Sequence, residues 1–259
     1  MPTNITIEQV KELRDTTGIS VMQCKRALEE ADGDMNKALA ILKKTSSDIA
    51  QKKADRSLNS GAIMIKNEGN KTVLVGLLCE TDFVAKNEDF STLLSKLTDI
   101  ALEKGLPKTK EEGKDAIDPI IQKTGENIQL GEMYEVLGDT IGSYLHNNKI
   151  GVIVSLSGGN KELAKDVAMH IAAMKPEYIS QNEITDAAKK TMQEIFEKEV
   201  ESINKPADIK KKMLDGKMAT YFKEKTLLDQ PFIKDGEQTV GKLLEKSGAQ
   251  IKEVRRYSI

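Results

Sequence analysis

The sequence predicts an α+β protein: an N-terminal three-helix unit, a core of two antiparallel-sheet-plus-helix subdomains, and a protruding antiparallel helical hairpin. Three observations predict it. Apolar residues recur at helical spacing through 1–45. Two strand-rich stretches, 61–79 and 128–156, are each followed by an amphipathic helical segment. Residues 182–226 hold two helix-period segments joined by the short Asn204-Lys205 joint, which makes them antiparallel. The expected division is 1–45 for the helical unit, 46–60 for a linker, 61–138 for the first core subdomain, 139–181 with 227–259 for the second, and 182–226 for the hairpin.

The N-terminal unit opens with a helix start. Thr6-Ile7-Glu8-Gln9 and Ser20-Val21-Met22-Gln23 both fit the capping box, in which a hydroxyl and a glutamine satisfy the free N–H groups of a helix start. Ile7, Val10 and Leu13 share one face of the first helix, and Cys24, Ala27, Leu28 and Ala31 one face of the second. Asp32-Gly33 is a turn, Asp34 a further cap, and Met35, Leu39 and Leu42 mark the third helix. The stretch from Thr45 to Ser60 is polar and weakly basic, and reads as a helical or flexible linker with solvated lysines.

Gly61–Lys66 and Lys71–Cys79, around the turn Asn67-Glu68-Gly69-Asn70, predict a β-hairpin. Asn87 can cap a helix through Phe90, Leu93, Leu94, Leu97 and Leu102 that stops near Gly105. A second helix is placed around Ile117–Lys123, with Pro119 in its first turn. Strands follow at Ile128 to Leu137, Thr140 to His146, and, after Asn147-Asn148, Ile150 to Leu156. Ser157-Gly158-Gly159-Asn160 leads into a helix through Leu163, Val167, Ile171 and Met174. Hairpin, loop and helix thus occur twice, which suggests related subdomains. Gln181 to Asn204 and the segment from Pro206 through Phe222 form the helical hairpin. The tail holds Gln230-Pro231-Phe232, a helix from Thr239 to Lys246, and a strand Ala249–Ile259 that returns to one of the sheets.

Composition narrows the function classes. Lys+Arg at 39 nearly balance Asp+Glu at 41, which argues against sequence-independent nucleic-acid binding. Tryptophan is absent and aromatics total 4%, so neither a base-stacking platform nor a cofactor cage is expected. No apolar run approaches the roughly 20 residues that span a bilayer. Cys24 and Cys79 lack any CxxC partner and read as buried free thiols of a reducing compartment, so a cytoplasmic location is expected, or an organellar matrix for an organellar protein. Of the two histidines, His170 lies among Val167, Ile171 and Met174 and reads as a core residue. No His/Cys cluster has zinc spacing, and Ser157-Gly158-Gly159-Asn160-Lys161 lacks the Gly-x4-Gly-Lys-Ser/Thr pattern that wraps a phosphate. The expectation is a binding protein, not an enzyme, with no cofactor, no metal and no direct nucleotide binding.

One segment carries chemistry of another kind. In Glu80-Thr81-Asp82-Phe83-Val84-Ala85-Lys86-Asn87, an aromatic follows an acid between a buried strand and a helix. Phe83 could fold back as a core cover with Asp82 capping a turn, or a rigid loop could present the ring to a partner. The run Thr81–Asn87 resembles the core signature of the elongation factor Ts family. Val10–Gly18, Cys24–Leu28 and Ala31–Asp34 resemble that family's N-terminal, ubiquitin-associated-like domain. Gly142-Ser143-Tyr144, His146, Ile150-Gly151-Val152, Met169–Ala173 and Gln230-Pro231-Phe232 resemble its core. The family pattern reads Glu-x-Asn-Cys ahead of the signature, where this chain has Gly76-Leu77-Leu78-Cys79.

The resemblance implies a guanine nucleotide exchange factor that binds the GTPase elongation factor Tu in its GDP form and disturbs its magnesium and phosphate site. It implies that Thr81, Asp82, Phe83 and Val84 enter that site, with His146 approaching from the second subdomain. It implies that Lys11, Arg14, Val21 and Met22 contact a helix of the GTPase domain. It further implies that the hairpin at 182–226 corresponds to a coiled-coil module that contacts the GTPase and serves homodimerisation in some members. The alternative is a ubiquitin-associated-like adaptor or scaffold in which Asp82 and Phe83 are structural.

Overall fold

The computed structural model describes residues 5–53 and 55–259. It is α+β, and it divides into two compact units. The first comprises the chain up to Leu137 together with Leu145–Gly151 and Tyr257–Ile259. It begins with α1 (Ile7–Thr17), α2 (Val21–Glu30) and α3 (Met35–Lys52). At Thr6 both halves of the capping box form, Gln9 N donating to the Thr6 hydroxyl and Thr6 N to Gln9 Oε1. At Ser20 only half of it forms, because the Ser20 hydroxyl donates to Gln23 Oε1 while accepting from Gln23 N. Leu13, Ile19, Cys24, Ala27, Leu28, Ala31, Ala38 and Leu42 make this module's core. The segment read as a helical or flexible linker is helix as far as Lys52, because Ser46 is buried and donates to Gln122 Oε1 at 2.9 Å.

The sheet of this unit has the order β1-β2-β3, from β1 (Ser60–Glu68), β2 (Lys71–Cys79) and β3 (Ile128–Leu137). Both pairings are antiparallel, and the β2–β3 ladder ends at Cys79↔Ile128. Between β2 and β3 run α4 (Asp82–Ala85), α5 (Glu88–Lys104) and α6 (Leu106–Thr124). The period-2 set Val73, Val75, Leu77 and Cys79 packs on Phe90, Leu93, Leu94 and Leu97 of α5 and on Ile117 and Ile121 of α6. The expected placement of Pro119 in a first turn is wrong. The helix begins eleven residues or more earlier, with a proline at its own first turn, and Pro119 lies inside it. Packing of α6 against α3, α5 and β3 outweighs the ~3 kcal/mol that an interior proline costs. Gly76, where the chain departs from the family pattern, has Tyr257 lying over it: a Cβ there would come within 2.4 Å of the Tyr257 ring.

Continuing along the chain come β4 (Thr140–His146), β5 (Ile150–Ser157), α7 (Lys161–Met174), α8 (Asp186–Glu201), α9 (Ala207–Lys225), β6 (Pro231–Phe232), β7 (Asp235–Thr239), α10 (Val240–Lys246) and β8 (Gln250–Ser258). The second unit, Gly138–Tyr144 with Val152–Arg256, contains most of the sheet β4-β5-β8. The C-terminal strand therefore does return to a sheet. The β6–β7 pair was not anticipated. Leu163, Ala164, Val167, Ala168 and Ile171 form the buried face of α7. Helix α8 starts at Asp186, not at Gln181, because the Thr185 hydroxyl caps it. Where the α8–α9 pair joins the rest of this unit, Glu177 N donates to Lys225 O and Leu227 N to Tyr178 O, both at 2.8 Å.

Candidate partner-binding site

The site is built where β2 ends. Beyond Cys79↔Ile128 the two strands part, and side chains take over from the ladder. Glu80 Oε1 accepts from Asn127 N at 2.8 Å. Across the gap, Glu126 accepts twice from Thr81, from its N–H at 3.1 Å and from its hydroxyl at 2.7 Å. Glu80 is further held by Arg56 at 3.0 Å and Lys53 at 3.9 Å. Its carboxyl sits below the usual range, first because of the Asn127 backbone bond and then because of Arg56.

Thr81 is extended (φ −125°, ψ 157°) and caps α4, its oxygen accepting from Val84 N at 3.4 Å. That single helical turn is two-sided. Val84 and Ala85 pack against the core beneath the sheet, whereas Asp82 and Phe83 point away from it. Phe83 is 83% exposed, more than any other large hydrophobic side chain among the described residues. Asp82 pairs with Lys86 at 2.7 Å, and this bond, with the Lys86 charge, lowers its carboxyl below the ordinary value.

His146 is exposed at the end of β4, its Nε2 lying 3.3 Å from Asn147 Nδ2. The turn that follows passes through Asn147 and Asn148 in the left-handed region, φ 49° and 55°, which asparagine tolerates better than other non-glycine residues. It is docked on the start of β1: Ile63 N donates to Asn148 O at 2.7 Å, and Lys149 Nζ donates to Gly61 O at 2.8 Å. Because Ser60 pairs with Cys79, the fold brings the His146 turn and the Thr81–Val84 turn to one end of one sheet. Lys149 even contributes to lowering the Asp82 carboxyl. Lys11, Arg14, Val21 and Met22 are placed elsewhere, on the exposed surface of α1 and α2 in the module that has its own core. Val21 and Met22 are exposed there together with Ile7.

The other candidates are structural. Cys24 and Cys79 are buried free thiols, and burial together with the Glu126 charge pushes Cys79 up to about 11, so it offers no thiolate near neutral pH. His170 is fully buried: Ile233 N donates to its Nδ1, which leaves Nε2–H for Gln230 Oε1 at 2.8 Å. Asn160 closes the Ser157-Gly158-Gly159 loop by accepting from Leu163 N as the cap of α7. Among the described residues no group of three or more His, Cys, Asp or Glu could hold a metal ion, and no helix is long and apolar enough to cross a membrane.

A family model described as Elongation factor TS matches residues 80–259, beginning at the carboxylate that enters this turn. The chain belongs to the elongation factor Ts family. Elongation factor Ts of Hahella chejuensis is 39% identical over 98% of this chain and 92% of its own length. Those of Thioalkalivibrio sulfidiphilus and Aeromonas salmonicida are each 38% identical, over 98% and 99% of this chain and 92% and 91% of their own lengths. The role of the chain is accordingly that of a translation elongation factor, acting in protein biosynthesis.

Sequence reasoning singled out the Thr81–Val84 turn but missed what holds it in place. Glu126, Asn127 and Lys149 were not singled out. The signal was present in principle: once β2 and β3 are paired with Cys79 opposite Ile128, the next two opposing pairs are Glu80 with Asn127 and Thr81 with Glu126. Gly76-Leu77-Leu78, which departs from the family pattern, does not weaken the turn, because its supports are Cys79, Glu80 and Glu126.

Proposed function

We propose that the chain is the guanine nucleotide exchange factor of elongation factor Tu, and that it releases GDP by driving Phe83 and its neighbours into the GTPase's magnesium and phosphate site. The observation that carries this reading is Phe83, 83% exposed on a helical turn whose flanking residues are fixed by hydrogen bonds and core packing. A structural aromatic would be buried. A presented one must wait in water until a partner covers it.

The physical logic follows from the metal. Mg²⁺ demands near-ideal octahedral geometry, so a small displacement of its ligands or waters weakens its hold on the diphosphate. Burial of a phenylalanine side chain supplies about 1.5–3 kcal/mol toward such a displacement. Asp82, beside the ring, adds a negative charge where phosphate oxygens already repel one, and His146 stands at the same end of the sheet. Exchange factor and nucleotide then oppose each other: whatever the factor takes from GDP affinity, nucleotide takes from the factor's affinity, so GTP can evict it. Lys11, Arg14, Val21 and Met22 form a second contact on the GTPase, and the hairpin, with Ile195 and Ile209 exposed, a third or a homodimer contact.

The test is release of a fluorescent GDP analogue from elongation factor Tu, followed by stopped flow. Substoichiometric amounts of the chain are expected to accelerate it catalytically. Release at the intrinsic rate, with no binding to the GDP form by calorimetry, would leave the adaptor reading in its place.

A further inference from the structure

We infer that Glu126 is a positioning residue for nucleotide exchange: it holds the Thr81 joint in the geometry that keeps the Phe83 ring outside the protein. The inference rests on the exchange reading above and adds to it the residue that makes the turn stiff.

At Thr81 the backbone must change from an extended strand to a helical turn within one residue, and it does so two residues past the last ladder pair. The N–H groups of Thr81 and Asn127 have by then lost their cross-strand acceptors. Two carboxylates replace them in a crossed arrangement, Glu80 serving Asn127 and Glu126 serving Thr81. The two are not equivalent. Glu80 divides its oxygens among Asn127, Arg56 and Lys53, whereas both oxygens of Glu126 are spent on Thr81.

That bidentate grip leaves Thr81 no polar group to reorient with. Its N–H and its hydroxyl proton are on Glu126. Its hydroxyl oxygen accepts from Val84 N, and its carbonyl accepts from Ala85 N at 3.2 Å and from the Cys79 thiol at 3.1 Å. Downstream, Val84 and Ala85 are held in the core. Phe83, between two fixed points, has its direction chosen for it, although its own ring packs on almost nothing. Apolar surface left in water would fold back onto the protein if the joint were loose, so the remote carboxylate opposes that collapse. The carboxylate matters for its charge: a glutamine could still accept from the Thr81 N–H through its oxygen, but it would meet the hydroxyl with an amide N–H and replace two charge-assisted bonds with neutral ones.

The experiment uses the full chain, with elongation factor Tu carrying a fluorescent GDP analogue, and reads the release rate at saturating factor separately from the half-saturating concentration. Glu126→Gln is expected to lower the saturating rate about tenfold, since a hydrogen bond to a charged acceptor is lost and the ring's orientation with it. In a Phe83→Ala background the same substitution is expected to change the rate less than twofold, because the ring it positions is gone. An equal loss in both backgrounds overturns the positioning role, as does wild-type release by Glu126→Gln when Phe83→Ala is slow. Wild-type release by Phe83→Ala overturns the exchange reading itself, so the two failures are distinct. Should Glu126→Gln not fold, Thr81→Val removes the same hydroxyl donor at nearly constant volume. It is expected to slow release, with Thr81→Ser recovering most of the rate; equal rates for the two would refute the inference.

Discussion

Replacing Phe83 with alanine removes a ring that contributes almost nothing to the free protein. At 83% exposure, only a small part of the 1.5–3 kcal/mol available from burying a phenylalanine is realised within the chain, so the stability cost is expected to stay below about 0.5 kcal/mol. Nearly all of that burial remains available to a partner. If it is spent in the state from which GDP leaves, its loss raises the barrier by about 1.2–2.5 kcal/mol, which corresponds to roughly 8- to 70-fold slower release at saturation. The assay is stopped-flow release of a fluorescent GDP analogue from elongation factor Tu, alongside urea unfolding of the variant. The expected result is an unchanged unfolding midpoint with release slowed into that range. An unchanged release rate would refute the wedge. An unfolding free energy lowered by more than about 1 kcal/mol would show the ring to be part of the fold.

Other regions give further expectations. Gly142→Ala is expected to destabilise the second unit by about 3 kcal/mol, read from thermal unfolding, because the new Cβ would lie 2.1 Å from Lys165 N and 2.2 Å from Ala164 C, backbone atoms of α7 that cannot swing aside. Burial lowers the pKa of His170, so the unfolded chain takes up a proton below its ordinary value of ~6.5 while the folded chain does not. Stability is therefore expected to be level above that pH and to fall below it by up to about 1.4 kcal/mol per pH unit, a slope in urea midpoints that His170→Gln should remove. Replacing 186–221 with a short flexible linker is expected to leave the circular dichroism of the remaining sheets and helices and their cooperative unfolding intact, since Tyr178 and Thr226 already meet where the helix pair joins its unit. Loss of the folded signal would mean that the hairpin supports its unit.

Legibility followed the range of the interaction. Thr6, Asn87, Asn160 and Thr239 were readable as helix starts because each cap is satisfied within two or three residues. The alternation Val73, Val75, Leu77, Cys79 was readable because one buried face needs only a period of two. Pro119 was misplaced because its tolerance comes from packing with other elements, and local propensity records only the penalty. Ser46 looked like solvated linker, since nothing local announces a buried bond to Gln122, 76 residues away. The same distance rule explains Ile7 and Leu13: the pattern puts both on one helix face, yet Ile7 is exposed and Leu13 buried, because how much of that face is covered depends on the elements packed against it.

The two readings that the sequence left open for Phe83 concern which way the ring leaves its turn, and the carboxylate that grips the base of that turn at Thr81 lies 45 residues away in the chain. Composition and periodicity are blind to it, because an aromatic beside a strand end is compatible with either side of the sheet. On the inference drawn above the balance is electrostatic: the apolar preference of the ring is to fold inward, and the charge-assisted bonds at its base would oppose that preference. A turn held in this way costs the free protein exposed apolar surface, and that surface is what a partner gains by covering it. On the proposed reading, the exposure of Phe83 and the bidentate hold on Thr81 belong together: stiffness at the joint would convert an unfavourable hydration into binding energy available to a partner.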